Sequence, residues 1–144
     1  MWSDTVLFAE RAALVRLAVW GAASVVVGTA LFAVLAVRRV RSSLLDGFAW
    51  QMVVWGALAI ARVVEGMGAL VPRDLAAATR LDRWVWLLIG LDAGLVAVGV
   101  TLAIVGWRVG RRLGMVGAGV GIFVSGAALL ALDARFATIL SRLV

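Results

Sequence analysis

Apolar residues run through this chain in four long blocks and do not alternate with polar ones. Leu17 to Val37 gives 21 uncharged residues, Gly47 to Ala61 gives 15, Trp84 to Trp107 gives 24 with Asp92 as the sole charge, and Leu113 to Leu132 gives 20. A helix needs about 20 apolar residues to cross the hydrocarbon core of a bilayer, so three blocks are full spans. The second reaches that length only by continuing through Arg62 and Glu65 to Gly66. The pattern predicts an all-α polytopic membrane protein. It would be one domain over 1–144, a four-helix up-and-down bundle with helices over about residues 12–38, 46–66, 84–107 and 113–134 and a connector over 67–83.

Local signals refine this outline. Gly66-Met67-Gly68 breaks the second helix and Pro72 opens a new one, so Arg73 to Arg83 reads as a short amphipathic helix or an irregular loop. Trp50, Trp84, Trp86 and Trp107 stand near block ends, where indole rings anchor at membrane interfaces. In the fourth block Gly117, Gly121 and Ser125 recur every four residues, a ridge that lets a neighbouring helix approach closely. A neighbour within the same chain fits that role better than a second copy, because a bundle already needs such faces. Shifting the chain by 70 residues brings Arg38 onto Arg108, Arg41 onto Arg111 and Gly56-Ala57 onto Gly126-Ala127. A true duplication would make the fold two tandem helical hairpins.

Composition agrees with a lipid environment. Hydrophobic residues make up 65% of the chain and mean hydropathy is +1.10, against about 45–50% apolar residues in soluble domains. Cysteine and histidine are both absent, which excludes disulfides, thiol chemistry and the usual ligands of haem and zinc, so no cofactor is expected. Lysine, asparagine and tyrosine are missing as well, as codon usage in a GC-rich bacterial genome would produce. The net charge of +6 would suggest nucleic acid in a soluble protein, but here the arginines flank apolar blocks and read as topology signals. Arg38, Arg39 and Arg41, with Arg108, Arg111 and Arg112, occupy two short loops on one side, which favours a cytoplasmic position for those loops and both termini outside a bacterial inner membrane. The Met-Trp-Ser-Asp start lacks the basic region of a cleaved signal, so the first helix is expected to stay.

Asp92 is the chemically informative residue. A carboxylate at the centre of a membrane helix costs about 2.5–3.5 kcal/mol, so it faces protein or water and needs a reason to be there. An up-and-down bundle places it in the same half as Arg16, Arg62, Glu65 and Asp133, as the deepest charge of the group. On the second helix Gln51, Trp55, Leu58, Arg62 and Glu65 share one face, a polar stripe leading towards that level. Gly90 and Gly94 would let a partner reach the Asp92 carboxylate. Two accounts compete. In the structural one, Asp92 pairs with Arg62 or Arg16, Arg62 with Glu65, and Asp133 caps the bundle at the headgroups. In the functional one, the same groups line a water-accessible pocket for a small ion, a lipid headgroup or a polar ligand, and Asp92 carries any coupled proton.

Phe48-Ala49-Trp50-Gln51 with Trp55-Gly56, Gly90-Leu91-Asp92-Ala93-Gly94 with Gly99, and the stretch Gly126 to Asp133 together resemble an uncharacterised family of small bacterial four-helix membrane proteins, a domain of unknown function. The chain departs from that pattern where Ala59 and Leu95 stand in regions that carry an Asn and an aromatic residue. The resemblance implies the four-helix fold and draws attention to Gln51, Asp92 and Asp133. It implies no activity. From the residues alone, a non-enzymatic binding or accessory membrane protein needs nothing the chain lacks; its partners would be membrane lipid and other membrane subunits or itself, not nucleic acid. A small proton-coupled transporter using Asp92 is the alternative. An enzyme ranks last, because Ser24, Thr29, Thr101 and Ser125 have no evident activating base.

Overall fold

The structure, a computed structural model, describes residues 2–143. Its elements are α1 (Trp2–Arg38), α2 (Ser43–Gly68), α3 (Leu75–Arg108) and α4 (Leu113–Leu140), with no strand among the described residues. All four are long and apolar enough to cross a membrane. At 1.5 Å per residue they span about 56, 39, 51 and 42 Å, against a hydrocarbon core of about 30 Å. Hence α1 and α3 outrun the apolar blocks from which they were predicted. Asp4, Glu10 and Arg11 on α1, and Arg80, Asp82 and Arg83 on α3, mark where the apolar surface ends, while the helices themselves continue.

The connector is correspondingly shorter than 67–83. It covers residues 69–74, and the stretch expected as a separate amphipathic helix forms the first turns of α3. Asp74 supplies the cap, accepting a hydrogen bond from the Ala77 amide at 2.7 Å. The three alanines that follow Leu75 favour helix, and Ala78 and Val85 keep one face of these turns buried. At the opposite end, α1 closes with Arg39 N–H on the Ala36 carbonyl and Val40 N–H on the Leu35 carbonyl, a left-handed helix stop with Arg39 at φ 51°. We call that end, with its loops 39–42 and 109–112, the short-loop end, and the other the connector end.

The hairpins α1–α2 and α3–α4 pack most extensively and meet through α2 and α4, which run in the same direction. Two tandem hairpins therefore describe the bundle. The small-residue ridge of α4 faces α2: a Cβ on Gly117 would collide with the Leu44 carbonyl, one on Gly121 would lie 2.6 Å from the Gln51 Cβ, and Ser125 Oγ lies 4.0 Å from Met52 Sδ. The other face of α4 takes α3 equally closely, since a Cβ on Gly119 would stand 2.5 Å from the Ala103 nitrogen. Helix α4 also touches α1. An exact two-fold relation of the hairpins would demand the equivalent contact of α2 with α3, and no extensive contact forms there. A cleft results.

Candidate functional site

Below the connector end, Leu17, Ala59 and Leu129 form an apolar cluster with Trp20, Val63 and Leu132 packed around it. A second cluster, Val6, Val85, Phe136, Ala137 and Leu140, joins the extended parts of α1 and α3 to the end of α4. Between them lies a chamber of about 370 Å³. Its walls are mostly aliphatic, with Leu14 and Leu17 from α1, Leu81 and Leu88 from α3 and Leu132 from α4, and they enclose Glu10, Arg62, Glu65, Arg73 and Asp133. Volume, apolar walls and few polar groups are what small-molecule sites share.

Two ion pairs frame this chamber. Arg73, in the connector, donates from Nε to Glu10 Oε2 at 2.9 Å and from Nη2 to Glu10 Oε1 at 2.7 Å, a bidentate pair. The bond to Glu10 holds the Arg73 guanidinium above its ordinary pKa, against the opposing effect of partial burial. A positively charged Arg73 is thereby stabilised, and this contribution is lost only when strong alkali removes its proton. Deeper in, Arg62 Nη2 donates to Asp133 Oδ2 at 3.2 Å. Asp92, on α3, is buried nearby and shares the lining of the adjoining cleft with Arg62. Asp92 is 4% exposed, and its Oδ2 is buried without a hydrogen-bond donor among the described residues.

The six residues singled out in the sequence therefore separate. Arg62, Asp133 and Asp92 come together across α2, α4 and α3, and Glu65, exposed, stands at the chamber wall above them. Arg62 takes Asp133 as its partner, where Asp92 or Glu65 had been considered. Asp133 is buried two turns before the end of α4, directly after the apolar block. Arg16 lines neither this chamber nor the cleft described next. Gln51 accepts a hydrogen bond from Trp55 Nε1 at 3.1 Å and packs on Gly121, so it serves helix packing near the short-loop end, while Trp55, Leu58, Arg62 and Glu65 of the same stripe line the two cavities. Gly90 and Gly94 face open space, and no arginine approaches Asp92 over them.

Asp92 opens instead onto the gap between α2 and α3. This cleft holds about 280 Å³ and is bounded by Trp55 and Leu58 on one side and Leu91 and Leu95 on the other, with Leu129 of α4 as its floor. Arg62 and Leu88 line both cavities and join them. Glu10 was noticed in the sequence only as an N-terminal acid. Its signal was register: Val6, Glu10, Leu17, Gly21, Ser24, Gly28 and Leu35 form the buried stripe of α1, and the small residues at 21, 24 and 28 predict that stripe when extended towards the N-terminus. The described residues contain no group of three or more His, Cys, Asp or Glu placed to hold a metal ion.

Fold and site together define a class: four-helix proteins with apolar spans and a charged chamber at one end. This chain belongs to the Family of unknown function (DUF6992), which it matches over residues 16–134. The matched span includes Arg62, Arg73, Asp92 and Asp133 and begins after Glu10. No curated protein and no solved structure matches the chain.

Proposed function

We propose that the protein crosses a membrane four times and acts there as a non-enzymatic binding or accessory protein whose chamber holds a ligand. The chamber carries this reading. A half-open, mostly apolar concavity of about 370 Å³ that gathers two ion pairs has the size and lining of a ligand site, with room for roughly a dozen waters at about 30 Å³ each. Val19, Val26, Leu87, Ile104 and Phe123 on the outer faces support the membrane setting, since lipid accepts such a surface and water does not. The four arginines of the two short loops, with Arg38 and Arg108 at the helix ends beside them, favour a cytoplasmic position for that end, which puts the chamber and both termini on the outer side of a bacterial inner membrane.

The test is native mass spectrometry of protein extracted gently in lipid nanodiscs. A non-covalent adduct on the wild type that Leu14→Trp removes is the expected result, since Leu14 lines the chamber and an indole there would fill it. A wild type without any adduct, or an adduct indifferent to Leu14→Trp, overturns the reading.

A second reading is a small proton-coupled transporter, favoured by one observation: Asp92 is buried in an apolar helix and lines a cleft with Arg62, whose bond goes to Asp133, so a carboxyl without a bonded cation stands where it could carry a proton. Proteoliposomes containing a pH-sensitive dye and given a gradient of tetraphenylphosphonium should then report proton movement that Asp92→Asn abolishes. A silent wild type, or a response that survives the substitution, counts against it.

A further inference from the structure

The cleft between α2 and α3 is a doorway of defined chemistry. Its lips, Leu58 and Leu91, are 50% and 57% exposed, on the side where the bundle lacks helix contact. From Arg62 to Trp55 it runs seven residues along α2, about 10 Å. An aliphatic chain matches these walls. At its deep end the cleft meets the chamber, and there the charges do not balance: Arg62 and Arg73 face Glu10, Glu65, Asp92 and Asp133. One proton held between Asp92 and Asp133 would still leave an excess negative charge. Arg62 Nη2 is bound to Asp133, so an anionic head would meet repulsion without a free counter-ion to offset it.

The independent observation is the buried Asp92 Oδ2, which lacks a donor. A carboxylate oxygen so placed costs free energy until a donor reaches it. Trp20, Ser24 and Asp82 also carry buried atoms without partners, but they line neither cavity. Asp92 lines the cleft. An ammonium group offers three donors and the missing positive charge.

We propose that the α2–α3 cleft admits, sideways from the bilayer, an amphiphile with a primary ammonium head and an aliphatic chain. The head rests among Asp92, Asp133 and Glu65, and the chain lies between Leu58 and Leu91 with its remainder in lipid. This rests on the chamber being a ligand site and names the ligand's class and route.

The probe is dodecylammonium carrying a mid-chain diazirine, photolysed with the full-length protein in phosphatidylcholine vesicles and mapped by peptide sequencing. Label is expected on the segments around Trp55–Leu58 and Leu91–Leu95, displaced by unlabelled dodecylammonium and not by dodecanoate or ethylammonium. Asp92→Asn should lower that labelling about tenfold, the size of one charged hydrogen bond. Leu91→Trp, on an exposed lip where folding tolerates it, should lower it comparably by obstruction, while Leu87→Trp, exposed but outside both cavities, should leave it unchanged. Equal competition by dodecanoate, or labelling indifferent to both Asp92→Asn and Leu91→Trp, overturns the inference. If ethylammonium competes as well as dodecylammonium, the lateral route falls and the chamber survives as a site for a free amine. Label spread evenly over the lipid faces, with no competitor effective, removes the route and also the chamber's claim to bind amines.

Discussion

The two ends of this bundle are assembled by different means. Towards the short-loop end the helices meet backbone to backbone: Gly117 against the Leu44 carbonyl, Gly119 against the Ala103 nitrogen, Gly99 against the Phe123 nitrogen. Towards the connector end large side chains keep the helices apart, and Glu10–Arg73 and Arg62–Asp133 bridge the space. Close glycine contacts gain dispersion and allow no adjustment. Bridged space gives up packing and can admit a ligand. One half acts as a clamp so that the other can stay open, and the two should respond oppositely to added volume and to removed charge.

The sharpest test adds one methyl group to the clamp. In Gly117→Ala the new Cβ meets the carbonyl of Leu44, which is backbone and cannot rotate away. We expect a loss of about 3 kcal/mol, the upper range for overpacking, outweighing a helix-propensity gain of about 0.5–1 kcal/mol. Thermal unfolding in detergent measures it. A melting temperature unchanged from wild type would show that the short-loop half is not clamped, and the contrast would dissolve.

Charge removal should act at the other end. Arg62→Gln leaves Asp133 and Asp92 facing each other without a cation. Breaking a fully buried pair costs about 3–5 kcal/mol, but the Arg62 side chain is 35% exposed, so solvent screening reduces the expectation to roughly 2 kcal/mol. The double variant Arg62→Gln with Asp133→Asn should recover about half of that loss, since it removes the stranded charge together with its partner. Hydrogen exchange localises the effect: amides of residues 57–66 and 129–137 should lose protection while those of 43–52 keep it. Additive losses would mean that the pair carries no coupling. Glu10→Gln should cost a similar amount, about 2 kcal/mol, because it leaves Arg73 without its bidentate partner in a pair whose side chains are only 20% and 9% exposed; faster exchange over residues 69–77 is its signature, and unaltered exchange there would separate the connector from α1.

Much of this division was legible in the chain. Block length identified four helices, because a bilayer sets a length that few soluble helices need, and the Gly117-Gly121-Ser125 spacing marked the clamp. The charge inside an apolar block nominated Asp92 for the same reason of cost, and the up-and-down register brought Arg62 and Asp133 to its level. Hydropathy reports the solvent around a helix and not the backbone's hydrogen bonds, so it missed the charged first turns of α1 and α3. Nor does periodicity fix which helix stands beside which. Arg62 reaches Asp133 because α4 lies between α2 and α3, and that order follows from glycine contacts formed only in three dimensions. The cleft was invisible on the same ground, as the absence of a contact has no residue to announce it.

The smallest expected effect tests the open half by the same chemistry used on the clamp. In Gly66→Ala the added Cβ meets only the end of the Leu14 side chain, with Cδ2 at 2.7 Å and Cδ1 at 3.1 Å. Leu14 lines the chamber and can swing into it. The helix gains about 0.5–1 kcal/mol from alanine in place of glycine, and a rotamer shift costs a similar amount, so the net change should lie within about 0.5 kcal/mol of zero. Two identical substitutions, at 66 and at 117, would then differ by roughly 3 kcal/mol for a reason visible in what each methyl group touches. A Gly66→Ala loss as large as that of Gly117→Ala would mean that Leu14 has nowhere to go. The space beside it would not be available to a side chain, and still less to a ligand.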